Sequence, residues 1–190
     1  MTQAGQTTIR VLYKEIRDSD VRKLLAQSND SDTGGGARDI RYRDFDIIRT
    51  VITKLLPKPI QKTRTVHTGN LHWIDDKSQK TISKTAEFWE PTDARPGEGR
   101  LAKVHTFACF EPNRMAMAQS EGGRILLLLV QQSDGSVWPY YVSETSLRTN
   151  KAWDQKVATA IVECLDQGGG RNATQGYVDF TNNTRYCNHA

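Results

Sequence analysis

The run R-I-L-L-L-L-V-Q-Q at residues 124–132 constrains the fold of this chain more than any other stretch. Its apolar stretch from Ile125 to Val130 has the length of a strand and falls far short of the roughly 20 apolar residues of a membrane span. A strand with no polar alternation has to be covered on both faces, so this segment is expected at the centre of a sheet. Asp134-Gly135 follows it, a strong hairpin signal, and residues 137–142 return as its partner. Pro139 within the partner implies a bulge or an edge.

Other segments also read as strands. Residues 8–16 alternate Ile9, Val11 and Tyr13 with polar residues before turning charged. From Thr63 a period of two sets in, with Val66, Leu71, Trp73 and Ile74, then Ile82, Ala86, Phe88 and Trp89 around a polar turn at residues 75–80. Residues 38–42, 101–110 and 176–181 are read as further strands. The clearest helix of the N-terminal half covers residues 44–56, with Phe45, Ile48, Ile52 and Leu55 at helical spacing, Asp44 placed to cap it, and Pro57 and Pro59 ending it. A second helix carries Trp153, Val157, Ala160, Ile161 and Cys164 on one face, and Gly168 to Gly170 stop it. Shorter helical stretches are expected at residues 19–27 and 115–119. The expected class is α+β, predominantly β: a single domain over residues 1–190, built as a seven-stranded pseudobarrel-like sheet with two substantial helices. A closed or nearly closed barrel protects many short strands from edge pairing. Residues 182–190 are expected to form a loose tail.

At 190 residues the chain can build its own core without staples. The N-terminus M-T-Q-A-G-Q-T-T lacks the basic and apolar regions of a signal peptide, so a cytoplasmic protein with no membrane partner is expected. Cys109, Cys164 and Cys187 form no C-x-x-C pair, which argues against a zinc ribbon or redox motif. His67 and His72 lack ligand partners at finger spacing and are read as a solvent-facing pair. A Cys109–His105 catalytic pair is unfavourable, because positions four apart on a strand lie about 13 Å apart. The glycines at residues 34–36 lack the Lys-Ser/Thr of a phosphate loop. No catalytic residue, cofactor or metal is therefore assigned.

What remains is binding. The chain carries a net charge of +4, compatible with a nucleic-acid partner. The stretch N-D-S-D-T-G-G-G-A-R-D-I-R-Y at residues 29–42 joins an Asx/Ser turn and three glycines to arginines. Asn29, Asp30, Thr33, Arg38, Arg41 and Arg43 form one polar, basic arm there. Lys77, Gln79, Lys80 and Lys84 form a second arm along the strand-turn-strand connection. Lysines suit phosphates, whereas arginine, asparagine and glutamine suit base edges.

The stretch S-N-D-S-D-T-G-G-G-A-R-D-I-R-Y resembles the Asn-Asp-Thr-Gly…Gly segment of the DNA-recognition pseudobarrels that serve as effector domains of type IIE restriction enzymes, a fold shared with plant transcription factors. The subsequent helix ending near a proline, the strand-turn-strand L-H-W-I-D-D-K-S-Q-K-T-I-S-K-T-A-E-F-W and the late tryptophan hairpin follow the same order. Ser31-Asp32 interrupts the Asn-Asp-Thr-Gly run, and Arg38 stands near where the family places a histidine and glutamine, so its base specificity is not carried over. The resemblance implies two DNA-clamping arms and no catalytic centre. The expected function is a double-stranded DNA recognition module of a restriction or phage-defence system, working with a nuclease on another chain. Two alternatives are a divergent metal nuclease using Asp75, Asp76, Glu87 and Lys84, and a protein–protein adaptor anchored by exposed tryptophans.

Overall fold

The structure, a computed structural model, describes residues 6–25, 38–149, 153–167 and 174–188. Asn29, Asp30 and Thr33 lie outside the described residues. In chain order the elements are β1 (Thr8–Ile16), α1 (Asp18–Leu25), β2 (Ile40–Tyr42), α2 (Phe45–Leu55), β3 (Lys58–Gln61), β4 (Thr65–Ile74), β5 (Thr81–Trp89), β6 (Gly99–Leu101), α3 (Pro112–Glu121), β7 (Ile125–Gln132), β8 (Val137–Ser143), α4 (Glu144–Thr149), α5 (Gln155–Gln167), β9 (Gln175–Asp179) and β10 (Thr184–Cys187). Two 3-10 turns, Val104–Thr106 and Ala108–Phe110, lie between β6 and α3.

The chain is α+β and mostly sheet, but the described residues form ten strands, not seven. The additional short strands β3, β6 and β10 have three or four residues each and little apolar alternation; all four residues of β3 are exposed. Such segments pair because a neighbouring edge is available, a condition local sequence does not carry. The stretch expected as a strand at residues 101–110 is instead the end of β6 and the two 3-10 turns, after Lys103 takes a left-handed conformation (φ 53°). The expected loose tail includes β10, which pairs with β9. No helix among the described residues is long and apolar enough to cross a membrane.

The chain divides into two compact units, one of Met1–Ile16 with Met115–Ala190, the other of Arg17–Arg114. In the first, the sheet order is β10-β9-β1-β7-β8, all antiparallel. Every residue of β7 is buried, as a central strand without polar alternation requires. Helix α5 packs Val157, Ala158, Ile161, Cys164 and Leu165 against Val11, Tyr13, Leu126 and Leu128. Burying each large aliphatic side chain of this kind stabilises by roughly 1.5–3 kcal/mol. Cys164 and Cys187 are joined in a disulfide between α5 and β10, and Cys109 is free and buried.

In the second unit β3, β4, β5, β6 and β2 pair in that order, all antiparallel. Their inner face carries His67, Leu71 and Trp73 of β4, Ala86 and Phe88 of β5, Leu101 of β6, and Ile40 and Tyr42 of β2, all buried. Helix α2 buries Phe45, Ile48, Val51, Ile52 and Leu55, with Phe45 stacked on Phe88 at 6.0 Å. Gly99 makes this close packing possible, because a Cβ there would lie 2.5 Å from Phe88 and 2.7 Å from Phe45. Asp44 does not cap α2 as expected: it is left-handed, its side chain makes no cap bond, and its carbonyl accepts from Ile47 and Ile48 instead.

Candidate functional site

Both basic segments singled out in the sequence belong, where described, to the Arg17–Arg114 unit. The second arm is the far end of the β4–β5 hairpin. Thr81 to Thr85 are all exposed, while Leu71 and Trp73, opposite Lys84 and Ile82, are buried, so β5 is the exposed strand of this hairpin end. The turn between the strands is held from within. Asp75 Oδ1 accepts from Ser78 N at 2.7 Å, and Gln79 N donates to the Asp75 carbonyl at 2.8 Å. The bonds from Ser78, first its backbone and then its hydroxyl, hold the Asp75 carboxyl below its usual range. Gln79 occupies a left-handed position (φ 55°) and gives its side-chain amide to the Asp76 carbonyl, so it shapes the turn. Arg114 anchors the base of the turn, donating to the Ile74 carbonyl and to Asp76. Lys77 and Lys80 are exposed on this braced scaffold.

Lys84 is placed differently. It lies on the core-facing side of β5, opposite Leu71, with Nζ 4.8 Å over the Phe107 ring and donating to the Thr106 carbonyl at 2.6 Å. The same turn receives the root of the first arm. Val104 N donates to the Arg38 carbonyl at 3.0 Å, and Lys103 N donates to Asp39 Oδ1 at 3.0 Å. Arg38, Lys84 and Lys103 thus gather around His105, which is exposed beside them. Partial desolvation of the ring first, and then repulsion from Arg38, Lys84 and Lys103 against a partial opposition from Asp39, hold the His105 pKa below its ordinary value. Arg38 of the first arm and Lys84 of the second therefore meet at one basic locus, while Lys77 and Lys80 stand at the hairpin tip.

Arg41 lies on the outer face of β2, opposite Arg100 of β6 and 3.4 Å from Glu98. Arg43 is exposed just before α2. Sequence reasoning missed Lys103, His105, Arg100, Arg64, Lys62 and Trp89. Arg100 faces Trp89 across the β5–β6 pair and is bridged to Asp39 at 3.2 Å. The Trp89 ring carries the Arg64 guanidinium at 4.6 Å and Lys62 Nζ at 5.2 Å. Glu87 accepts from Lys62 at 2.6 Å and from the Trp89 indole at 2.9 Å, and with Lys62 as the main cause its carboxyl is held below the usual range. The alternation of charge with Trp89 along residues 84–89 was a usable signal. The contributions of Lys62, Arg64 and Arg100 were not, because strand order brings them in.

The residues of the alternative nuclease site do not converge. Asp75 closes the hairpin turn, Asp76 pairs with Arg114, and Glu87 and Lys84 lie on opposite faces of β5. Among the described residues no three His, Cys, Asp or Glu side chains are grouped to hold a metal. Nor is there a solvent-facing histidine pair: His67 is buried and bonds Glu90 at 2.7 Å, and His72 is half-buried. His105 and Cys109 sit on separate 3-10 turns, and burial pushes the Cys109 thiol up to about 12. The tryptophans offered as adaptor anchors are not exposed: Trp73 and Trp138 are buried, Trp89 and Trp153 half-buried. In the other unit a cavity of about 740 Å³, lined by Thr8, Asp154, Lys156, Glu163, Phe180 and Asn183 among others, mixes both signs of charge and marks no single ligand class. The sequence matches no protein-family description, and a comparison with curated proteins finds no match.

Proposed function

We propose that this chain is a double-stranded DNA recognition module whose Arg17–Arg114 unit carries the binding surface. The observation that supports it is the convergence of Arg38, Lys84, Lys103 and His105 on one exposed turn, next to a braced hairpin presenting Lys77 and Lys80. Like charges that repel one another in the free protein, and that Asp39 opposes only in part, are relieved by a polyanion. Arginine at the locus offers bidentate bonds to guanine, and the lysines offer point charges to phosphates. A nuclease on another chain, as in restriction and phage-defence systems, would supply cutting.

The test is titration of the full chain with a random-sequence duplex library between 50 and 200 mM salt. Affinity is expected to fall linearly with salt on logarithmic axes, by about 0.9 per phosphate contact. Lys84→Ala and Lys103→Ala should each remove about one contact from that slope without changing the preferred sequence. Arg38→Ala should relax preference, at about 1–3 kcal/mol of discrimination. Absent or salt-insensitive binding across the library would overturn the reading.

A further inference from the structure

We propose that Arg64 and Arg100, gathered at the Trp89 ring, form a seat for a phosphate oxyanion on the outer face of β5 and β6. This seat is separate from the Lys103 turn and extends the DNA reading above. The argument starts from register. Phe88 and Leu101 oppose each other on the buried inner face, so Trp89 and Arg100, one residue along and mutually opposed, share the outer one. Arg41 continues the row across β6. Arg64 lies over Trp89 with Cζ 4.6 Å from the ring centroid. Stacking on an indole fixes the guanidinium plane and leaves its edge to make hydrogen bonds.

The donors outnumber the acceptors here. Arg64 Nη1 donates to the Glu90 carbonyl at 3.1 Å, its Nε is a buried nitrogen with no hydrogen-bond partner, and no carboxylate lies within ion-pair distance of it among the described residues. Arg100 shares Asp39 with the backbone of Lys103, so the one carboxylate bridged to Arg100 is bonded on both of its oxygens. Burial, and then the charge of Arg100, make the Arg64 cation less favourable than usual, with Asp39 opposing them only in part. Lys62 is already paired with Glu87. The Arg64 fork stacked on the ring, and Arg100 at the position facing Trp89 across the strand pair, offer planar donors to a phosphate, which accepts several hydrogen bonds at once. Arg100 and Lys103 are three positions apart, at most about 11 Å of chain, or about three nucleotide steps of 3.4 Å along one DNA strand. A phosphodiester of a duplex seated at the Lys103 turn would reach this seat, and free phosphate carries the same chemistry.

The experiment follows the Trp89 indole N–H and the Arg64 Nε–H by NMR of the full chain, during titration with a 16-base-pair duplex and, separately, with inorganic phosphate at constant ionic strength. Both resonances should move with the duplex. Arg64→Gln should weaken duplex binding about three- to tenfold and lower the salt slope by about 0.9, whereas Arg64→Lys, which keeps the charge and loses the fork, should restore the slope. Movement with inorganic phosphate but not with the duplex would keep the seat and overturn its role in DNA binding. If neither probe moves the two resonances, or if Arg64→Gln leaves affinity and slope unchanged, the seat is refuted, even where Lys103→Ala still weakens the duplex complex.

Discussion

Glu144 offers the sharpest quantitative test of how the first unit is held together. It lies at the start of α4, and its side chain is only 16% exposed. Its carboxylate accepts from Arg124 Nε at 2.8 Å and Nη2 at 3.1 Å, and from Arg148 Nη2 at 2.8 Å. Those bonds, Arg124 first, hold its pKa at about 2 against an ordinary 4.5. At about 1.36 kcal/mol per unit the shift corresponds to roughly 3 kcal/mol, which exposure of Arg148 to solvent reduces to about 2 kcal/mol. The folded pKa is depressed, so this stability is complete above the unfolded value of 4.5 and is lost as pH falls towards 2. Less than half of it remains near pH 3. Urea unfolding of the wild type and Glu144→Gln should therefore differ by about 2 kcal/mol at pH 7 and by under ~1 kcal/mol at pH 3. An equal difference at both pH values, or none at pH 7, would refute the role given to the carboxylate.

Other outcomes follow from single sites. Gly99→Ala should cost about 1–3 kcal/mol in unfolding experiments, because the added methyl meets the Phe88 and Phe45 rings. Duplex affinity should rise as pH falls through the ordinary histidine range, since a bound phosphate favours protonated His105, whose charge the free protein disfavours; the rise should be absent in His105→Gln. By the same sign, protonating His105 in the free protein lowers stability below about pH 6.5 and leaves it unchanged above. Cys187→Ser should destabilise by about 3 kcal/mol, for a loop with a sequence separation of 23, and a reducing agent should bring the wild type down to the variant.

Periodicity made the main elements legible. β1, β4, β5, β7 and β8 each carry a pattern of period two or an unbroken apolar run, and α2 and α5 carry an apolar stripe of helical spacing, so each was readable from its own residues. Residues 101–110 show why local pattern can mislead. Val104, Phe107, Cys109 and Phe110 are apolar in a spacing that a strand could use, yet two 3-10 turns bury the same residues, with Phe107 packed on Trp73 and Phe110. What selects the turns is the left-handed Lys103 and the bonds from its backbone and that of Val104 to Asp39 and Arg38, which no window of sequence contains. The disulfide between Cys164 and Cys187 likewise depends on β10 finding β9.

Which charges the chain carries, and that one basic segment precedes α2 while another runs through the β4–β5 hairpin, can be read residue by residue. That Arg38 and Lys84 share one turn with Lys103 and His105, and that Arg64 and Arg100 meet Trp89 on one sheet face, comes from the folded arrangement. The reason is physical. Charge and propensity belong to individual residues, whereas a binding surface depends on the order β5-β6-β2, and that order is set by long-range strand pairing and by the burial of Phe88, Leu101 and Ile40 beneath it.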